Sequence, residues 1–149
     1  MDTVNQGKDF EEKVRLKLEE LYKTRFNIYS KNNPDLVILT VGNPPKRRKF
    51  DIVSEDKSIV VECKDNNWSE TEKIPSGKIA TILKEVLYFS KMTKNANTKK
   101  IIVLKYYYNE SRKQTLADYF IKTYKHLLED IIIMELNVQN MELKQKFPF

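Results

Sequence analysis

The stretch from Phe50 to Lys64 constrains this chain more than any other. Two short runs rich in β-branched and apolar residues, Phe50 to Val53 and Ile59 to Cys63, flank the polar Ser54-Glu55-Asp56-Lys57-Ser58, the pattern of a β-hairpin. Side chains alternate along a strand, so Glu62 and Lys64 share one face while Val61 and Cys63 take the other. With Asp56-Lys57 at the tip, Asp51 falls directly opposite Glu62, and such partners point to the same face with Cβ atoms about 5 Å apart. Two carboxylates and an ammonium are thereby expected at one spot on an apolar sheet.

Two carboxylates so close repel each other and gain protons more readily unless a cation neutralises them. Mg²⁺ suits such a pair. It is a hard ion that keeps several waters, so two carboxylates and a backbone carbonyl suffice from the protein, and one retained water is available to attack phosphorus. A Glu-x-Lys tripeptide alone is more often a surface ion pair. Asp51 at hairpin register reverses that reading.

The rest of the chain reads as elements that would surround the hairpin. A first helix is expected after Gly7, with Phe10, Val14, Leu18 and Leu21 on one face. One β-rich stretch is expected to begin at Phe26 to Tyr29 and to be firmest at Leu36 to Val41, with further strands at Lys100 to Tyr107 and Ile131 to Leu136, and helices over about Gly77 to Met92 and Arg112 to Leu128. The order α-β-β-β-α-β-α-β predicts an α/β fold, a mixed central sheet flanked by helices, and residues 1–149 read as one domain.

Asp51, ten intervening residues and then Glu62-Cys63-Lys64 resembles the motif of the PD-(D/E)XK nuclease superfamily, with Phe-Asp in place of Pro-Asp. The expected element order also resembles that family's restriction-endonuclease-like core, so the similarity spans nearly the whole chain. The resemblance implies a metal-dependent endonuclease that hydrolyses DNA phosphodiester bonds, structure-specific or restriction-like in its action. Asp51, Glu62 and the Cys63 carbonyl would bind Mg²⁺, for which Mn²⁺ would substitute, and Lys64 would position or polarise the attacking water. Gly7-Lys8-Asp9-Phe10-Glu11 resembles the start of the family's first helix and adds Glu11 as a further catalytic and metal-binding candidate. Helical geometry agrees, setting Glu11 about 50° from the centre of the apolar face and Glu12 about 150° away. Size and motifs most resemble Holliday junction resolvase-like and Mrr-like cores, and junction cleavage would need a homodimer. DNA is the implied partner, with no small-molecule cofactor. The competing reading is a nucleic-acid-binding or assembly module that keeps the fold without cutting.

Further candidates are cationic. Lys46-Arg47-Arg48-Lys49, just before Asp51, reads as a loop at the mouth of the site that would contact phosphates without reading sequence. Lys99 and Lys100, with Lys94, would extend that patch. Lys78 and Lys84 lie on the second helix, where the resemblance implies a residue that reaches the scissile phosphate, and Lys84-x-x-x-Tyr88 partly resembles a Gln-x-x-x-Tyr motif of the RecB-like branch. Tyr88 itself reads as a core aromatic. Asn33-Pro34-Asp35 contains a literal Pro-Asp, but it opens a strand and is too far from Glu62 in sequence to share its hairpin. Trp68 reads as a cover for the core or a stacking surface for a base.

Composition excludes several classes. Lys and Arg outnumber Asp and Glu by 27 to 21, a formal charge of +6 that favours a polyanionic partner. Cys63 is the only cysteine, so neither an internal disulfide nor a multi-cysteine zinc site can form. It is expected to face away from Glu62, buried and inert. The polar start MDTVNQGKDFEE is unlike a signal peptide, and no apolar run approaches the roughly 18 residues of a membrane span. The expectation is a soluble, cytoplasmic protein without a membrane partner.

Overall fold

The computed structural model describes residues 3–66, 68, 73–92 and 97–149. Helix α1 (Thr3–Tyr22) starts earlier than the apolar pattern predicts. Phe10, Val14 and Leu18 are buried at i, i+4 and i+8, and Tyr22 continues the ridge, while Leu21 is left exposed. Lys13–Asp9 (3.0 Å) and Arg15–Glu19 (3.0 Å) lace its solvent side.

The chain then makes β1 (Phe26–Ile28), a 3₁₀ turn over Pro34–Val37, and a separate two-stranded ribbon of β2 (Ile38–Val41) and β3 (Lys46–Lys49). The strand expected over Leu36 to Val41 is thus shorter and lies outside the main sheet. The Lys46 to Lys49 run is a strand rather than a loop, because β2 supplies its ladder from Ile38↔Lys49 to Val41↔Lys46. Gly42, with φ at 80°, allows the ribbon to turn in the left-handed region.

The hairpin follows as β4 (Ile52–Ser54) and β5 (Ile59–Lys64). Asp56 organises its turn, its Oδ1 accepting from Ser54 Oγ (3.0 Å), Ser58 Oγ (2.7 Å) and Ser58 N–H (3.0 Å). Next come α2 (Ser76–Ser90), β6 (Lys99–Lys105), a small hairpin of β7 (Tyr108–Asn109) and β8 (Gln114–Thr115), and α3 (Leu116–Tyr124). Helix α3 begins later than Arg112 because Thr115 and Asp118 form a capping box. Strands β9 (Ile132–Asn137) and β10 (Glu142–Phe147) close the chain, the latter too polar to be anticipated.

The six-stranded sheet runs β1-β4-β5-β6-β9-β10. Its centre β5-β6-β9 is parallel, and β1-β4, β4-β5 and β9-β10 pair antiparallel. Helix α1 covers one face, burying Ile52, Val61, Ile101, Val103 and Met134. Helices α2 and α3 cover the other with Val53, Val60, Ile102, Leu104 and Ile133. This is a mixed α/β fold with a central mixed sheet flanked by helices. Trp68 belongs to the second core, 4% exposed, with Nε1 donating to the Tyr107 carbonyl (3.2 Å). Among the described residues no helix is long and apolar enough to cross a membrane.

Candidate active site

The hairpin register sets the site. Ile52 pairs with Val61 and Val53 with Val60, so one step further Asp51 stands opposite Glu62. Their contacts agree: Asp51 N–H donates to Glu62 Oε1 (3.2 Å), and Asp51 Oδ2 accepts from Cys63 N–H (2.8 Å). Asp51 also marks a break in the strand. Phe50 packs into the α2 core, its ring stacked 5.6 Å from Phe89, whereas Ile52 enters the α1 core. Residues two apart in a regular strand would share a face, so the chain twists at Asp51.

A cleft of about 250 Å³ opens where β4 begins and β5 ends, lined by Gly7, Phe10, Glu11, Arg48, Lys49, Asp51, Glu62, Cys63, Lys64, Asp65 and Glu85. Glu11 comes from α1, Glu62 and Lys64 from β5 of the sheet, Glu85 from α2 and Arg48 from the ribbon strand β3, so both helical faces, the sheet and the ribbon contribute. A neighbouring cleft shares Glu11, Lys49 and Asp51 and adds Lys8 and Tyr29. The structure thus brings together Glu11, Asp51, Glu62, Cys63, Lys64, Arg48 and Lys49 from the residues that the sequence singles out.

Other candidates lie elsewhere. Lys46 and Arg47 are solvent-facing on the ribbon, and Arg47 pairs with Asp35, which places the literal Pro-Asp outside the cleft. Lys78 and Lys84 are exposed on α2 and do not line the cleft; Lys84 Nζ sits 5.9 Å from the Tyr88 ring centre. Lys99 and Lys100 lie at the opposite end of the sheet, level with Ile59 and Val60, and Lys100 pairs with Asp130 (3.5 Å). Lys94 falls outside the described residues.

The helix residue that does reach the cleft is Glu85, which the sequence reading passes over. Its signal was present: Ile79, Ile82, Glu85, Val86 and Phe89 form the buried stripe of α2, and Glu85 is a carboxylate on that stripe, 4% exposed. Arg48 satisfies it, with Nη2 at 3.0 and 2.9 Å from its two oxygens, while Arg48 Nη1 reaches Glu62 Oε1 at 3.2 Å. The guanidinium lies 4.0 Å from the Tyr88 ring centre and 4.8 Å from that of Phe50. Lys64 Nζ stands 3.9 Å from Glu85. Tyr88 therefore packs on the core and carries Arg48.

Electrostatically the cleft is acidic within a basic protein. Glu11, Asp51, Glu62, Asp65 and Glu85 face Arg48, Lys49 and Lys64, five carboxylates against three cations. Burial, then the charges of Asp51 and Glu85, push the Glu62 carboxyl well above its ordinary range. Burial works against the charge on Arg48, yet Glu62 and Glu85 hold it charged. One guanidinium is outweighed at Glu62 by burial and neighbouring carboxylates. Glu11 rises from 4.5 to about 7, first through burial and then through Asp51, with Lys49 opposing. Cys63 is half-buried against the α1 core rather than fully buried as expected, and desolvation with the same carboxylates pushes its thiol up.

Asp51 and Glu62 are the side chains that a hard divalent cation could take as ligands. Among the described residues no three acidic, His or Cys side chains are arranged to hold an ion by themselves. What is laid out is the pair Asp51 and Glu62, enough for an ion that retains most of its waters. The excess of carboxylates, and the guanidinium already drawn onto Glu62, show that the position attracts positive charge. No protein-family model, curated protein or solved structure matches the chain, so its chemistry rests on these residues.

Proposed function

We propose that the protein is a divalent-metal-dependent nuclease of the PD-(D/E)XK type that hydrolyses DNA phosphodiester bonds. The observation that carries this reading is the opposition of Asp51 and Glu62 across the hairpin, with Lys64 two residues beyond Glu62 on the same strand. The order of helices and strands around the sheet supports a restriction-endonuclease-like core. Asp51, Glu62 and the Cys63 carbonyl would hold Mg²⁺ or Mn²⁺, with Glu11 at the rim. A cation bound there would supply Lewis-acid polarisation of the phosphodiester and offset charge in the transition state.

The protein's own groups have distinct tasks. Lys64 brings a positive charge to the cleft, where the anionic transition state develops. Glu11, raised to about 7, can hold or take up a proton near neutrality. Lys8 and Lys49, at the mouth beside Asp51, attract the backbone phosphates on either side of the bond to be cut.

The test is a cleavage panel of duplex, single-strand, flap and four-way DNA with Mg²⁺ or Mn²⁺, run on wild type, Asp51→Asn and Glu62→Gln. Cleavage should require the metal and fall by about a thousandfold in either variant. Undiminished cleavage by both folded variants sinks the site assignment. A second reading has one observation in its favour: Arg48 gives both Glu62 and Glu85 an internal partner, as a binding module that never cuts would need. DNA binding in EDTA together with no cleavage of any substrate would establish that reading instead.

A further inference from the structure

Arg48 is the residue of the basic β3 strand whose side chain pairs with the cleft carboxylates Glu62 and Glu85. Arg47 turns to Asp35, and Lys49 lies over the Tyr29 ring at 4.4 Å. The guanidinium is held unequally. Toward Glu85 it makes two short contacts, 3.0 and 2.9 Å, backed by the Tyr88 face at 4.0 Å. Toward Glu62 it makes a single contact at 3.2 Å, to an oxygen that also accepts from Asp51 N–H. Glu85 and Tyr88 are therefore the anchor, and Glu62 is the weaker hold.

Resting on the nuclease reading, we propose that Arg48 and a divalent ion are alternative cations at Glu62. In the metal-free protein Arg48 occupies the charge-balancing position beside Glu62. A doubly charged ion shared by Asp51 and Glu62 would repel the guanidinium over so short a distance, and both cations compete for one carboxylate. Arg48 then releases Glu62 but stays in the cleft, because the Glu85 pair and the Tyr88 ring are untouched. Its freed N–H donors face the same space as Lys64, where a guanidinium fork binds phosphate oxygens. Arg48 is thus a regulator of metal affinity and, once displaced, a phosphate ligand. Glu85 is its positioning residue.

The experiment is calorimetric titration of the full chain with MnCl₂, without nucleic acid, on wild type, R48Q, R48K and K49Q. R48Q should bind Mn²⁺ about tenfold more tightly than wild type, a coupling of ordinary size between two ligands of one site. R48K, which cannot fork between two carboxylates, should fall between them. K49Q removes the same charge from the same cleft without touching Glu62, so its gain should be smaller. Equal gains in R48Q and K49Q, or none in R48Q, overturn the exchange. Should R48Q fail to fold, the wild-type protein decides: the Arg48 Nε–H resonance, identified by its loss in R48K, should shift with saturating MgCl₂. An unmoved resonance overturns the proposal. If no form binds the metal, the nuclease reading falls too; if wild type binds it and cleaves while R48Q binds no better, the exchange alone fails.

Discussion

Glu11 carries a pH signature that belongs to one residue. Its pKa is raised from 4.5 to about 7, so between those values the folded protein keeps a proton that the unfolded chain has released. Stability falls with rising pH wherever the native state binds more protons. The contribution of Glu11 is therefore fully present below about pH 4.5, is lost as pH climbs toward 7, and is flat above. Urea denaturation of Glu11→Gln should show a shallower decline from pH 5 to pH 8 than wild type; parallel profiles would place Glu11 in water. At this scale much of the site was readable. Glu62 and Lys64 follow from strand alternation, and Asp51 from counting back across a turn. Glu85 escaped because a buried helical stripe is found by its apolar members, which makes a carboxylate among them easy to pass over. Lys84, its neighbour, was favoured for its charge, although one step along a helix turns a side chain about 100°.

Among the elements, α1 contains an avoidable weakness. Gly7 lies within the helix and lines the cleft, and a Cβ there would meet nothing within 4 Å. Glycine in a helix costs roughly 0.5–1 kcal/mol relative to alanine. Gly7→Ala should raise the urea-derived unfolding free energy by that amount, and a loss would mean that the open space is needed. Elements with apolar periodicity, α1, α2, β5, β6 and β9, were legible because burial imposes the pattern. Of the four strands missed, the two longer ones, Lys46–Lys49 and Glu142–Phe147, are ribbon and edge strands. Their residues face water on much of their surface, so pairing partners define them rather than hydrophobicity. Charged edges of this kind also discourage pairing with other chains.

For the whole molecule, the +6 surplus lies outside an acidic cleft, so on the proposed reading a polyanion would be drawn by the basic surround rather than by the carboxylates of the cleft. Each lysine that neutralises a phosphate contributes about −0.9 to the slope of log affinity against log salt on duplex DNA. In EDTA, Lys8→Gln and Lys49→Gln should each reduce that slope by about one, measured by fluorescence anisotropy, whereas Lys100→Gln, at the far end of the sheet, should leave it unchanged. Equal slopes in all three would remove the cleft mouth from the binding surface. The broad fold was visible at this scale because parallel strands alternating with helices leave few arrangements. Which cations face the site was not, since that depends on how far each lies along its strand.

The two-stranded ribbon that delivers Arg48 is fastened at both ends. Near its tip Gly42 N–H donates to the Lys91 carbonyl at 2.8 Å and Val41 bridges to Met92, while at its base Val37 and Phe50 are buried in the core under α2, the Phe50 ring stacked 5.6 Å from Phe89. A span pinned in this way cannot swing as a flap. Any movement of Arg48 is then confined to torsions of its own side chain, which relax many orders of magnitude faster than loop opening. A cation proposed to bind at Asp51 and Glu62 would then meet a guanidinium that shifts by breaking its own ion pairs rather than by opening the ribbon.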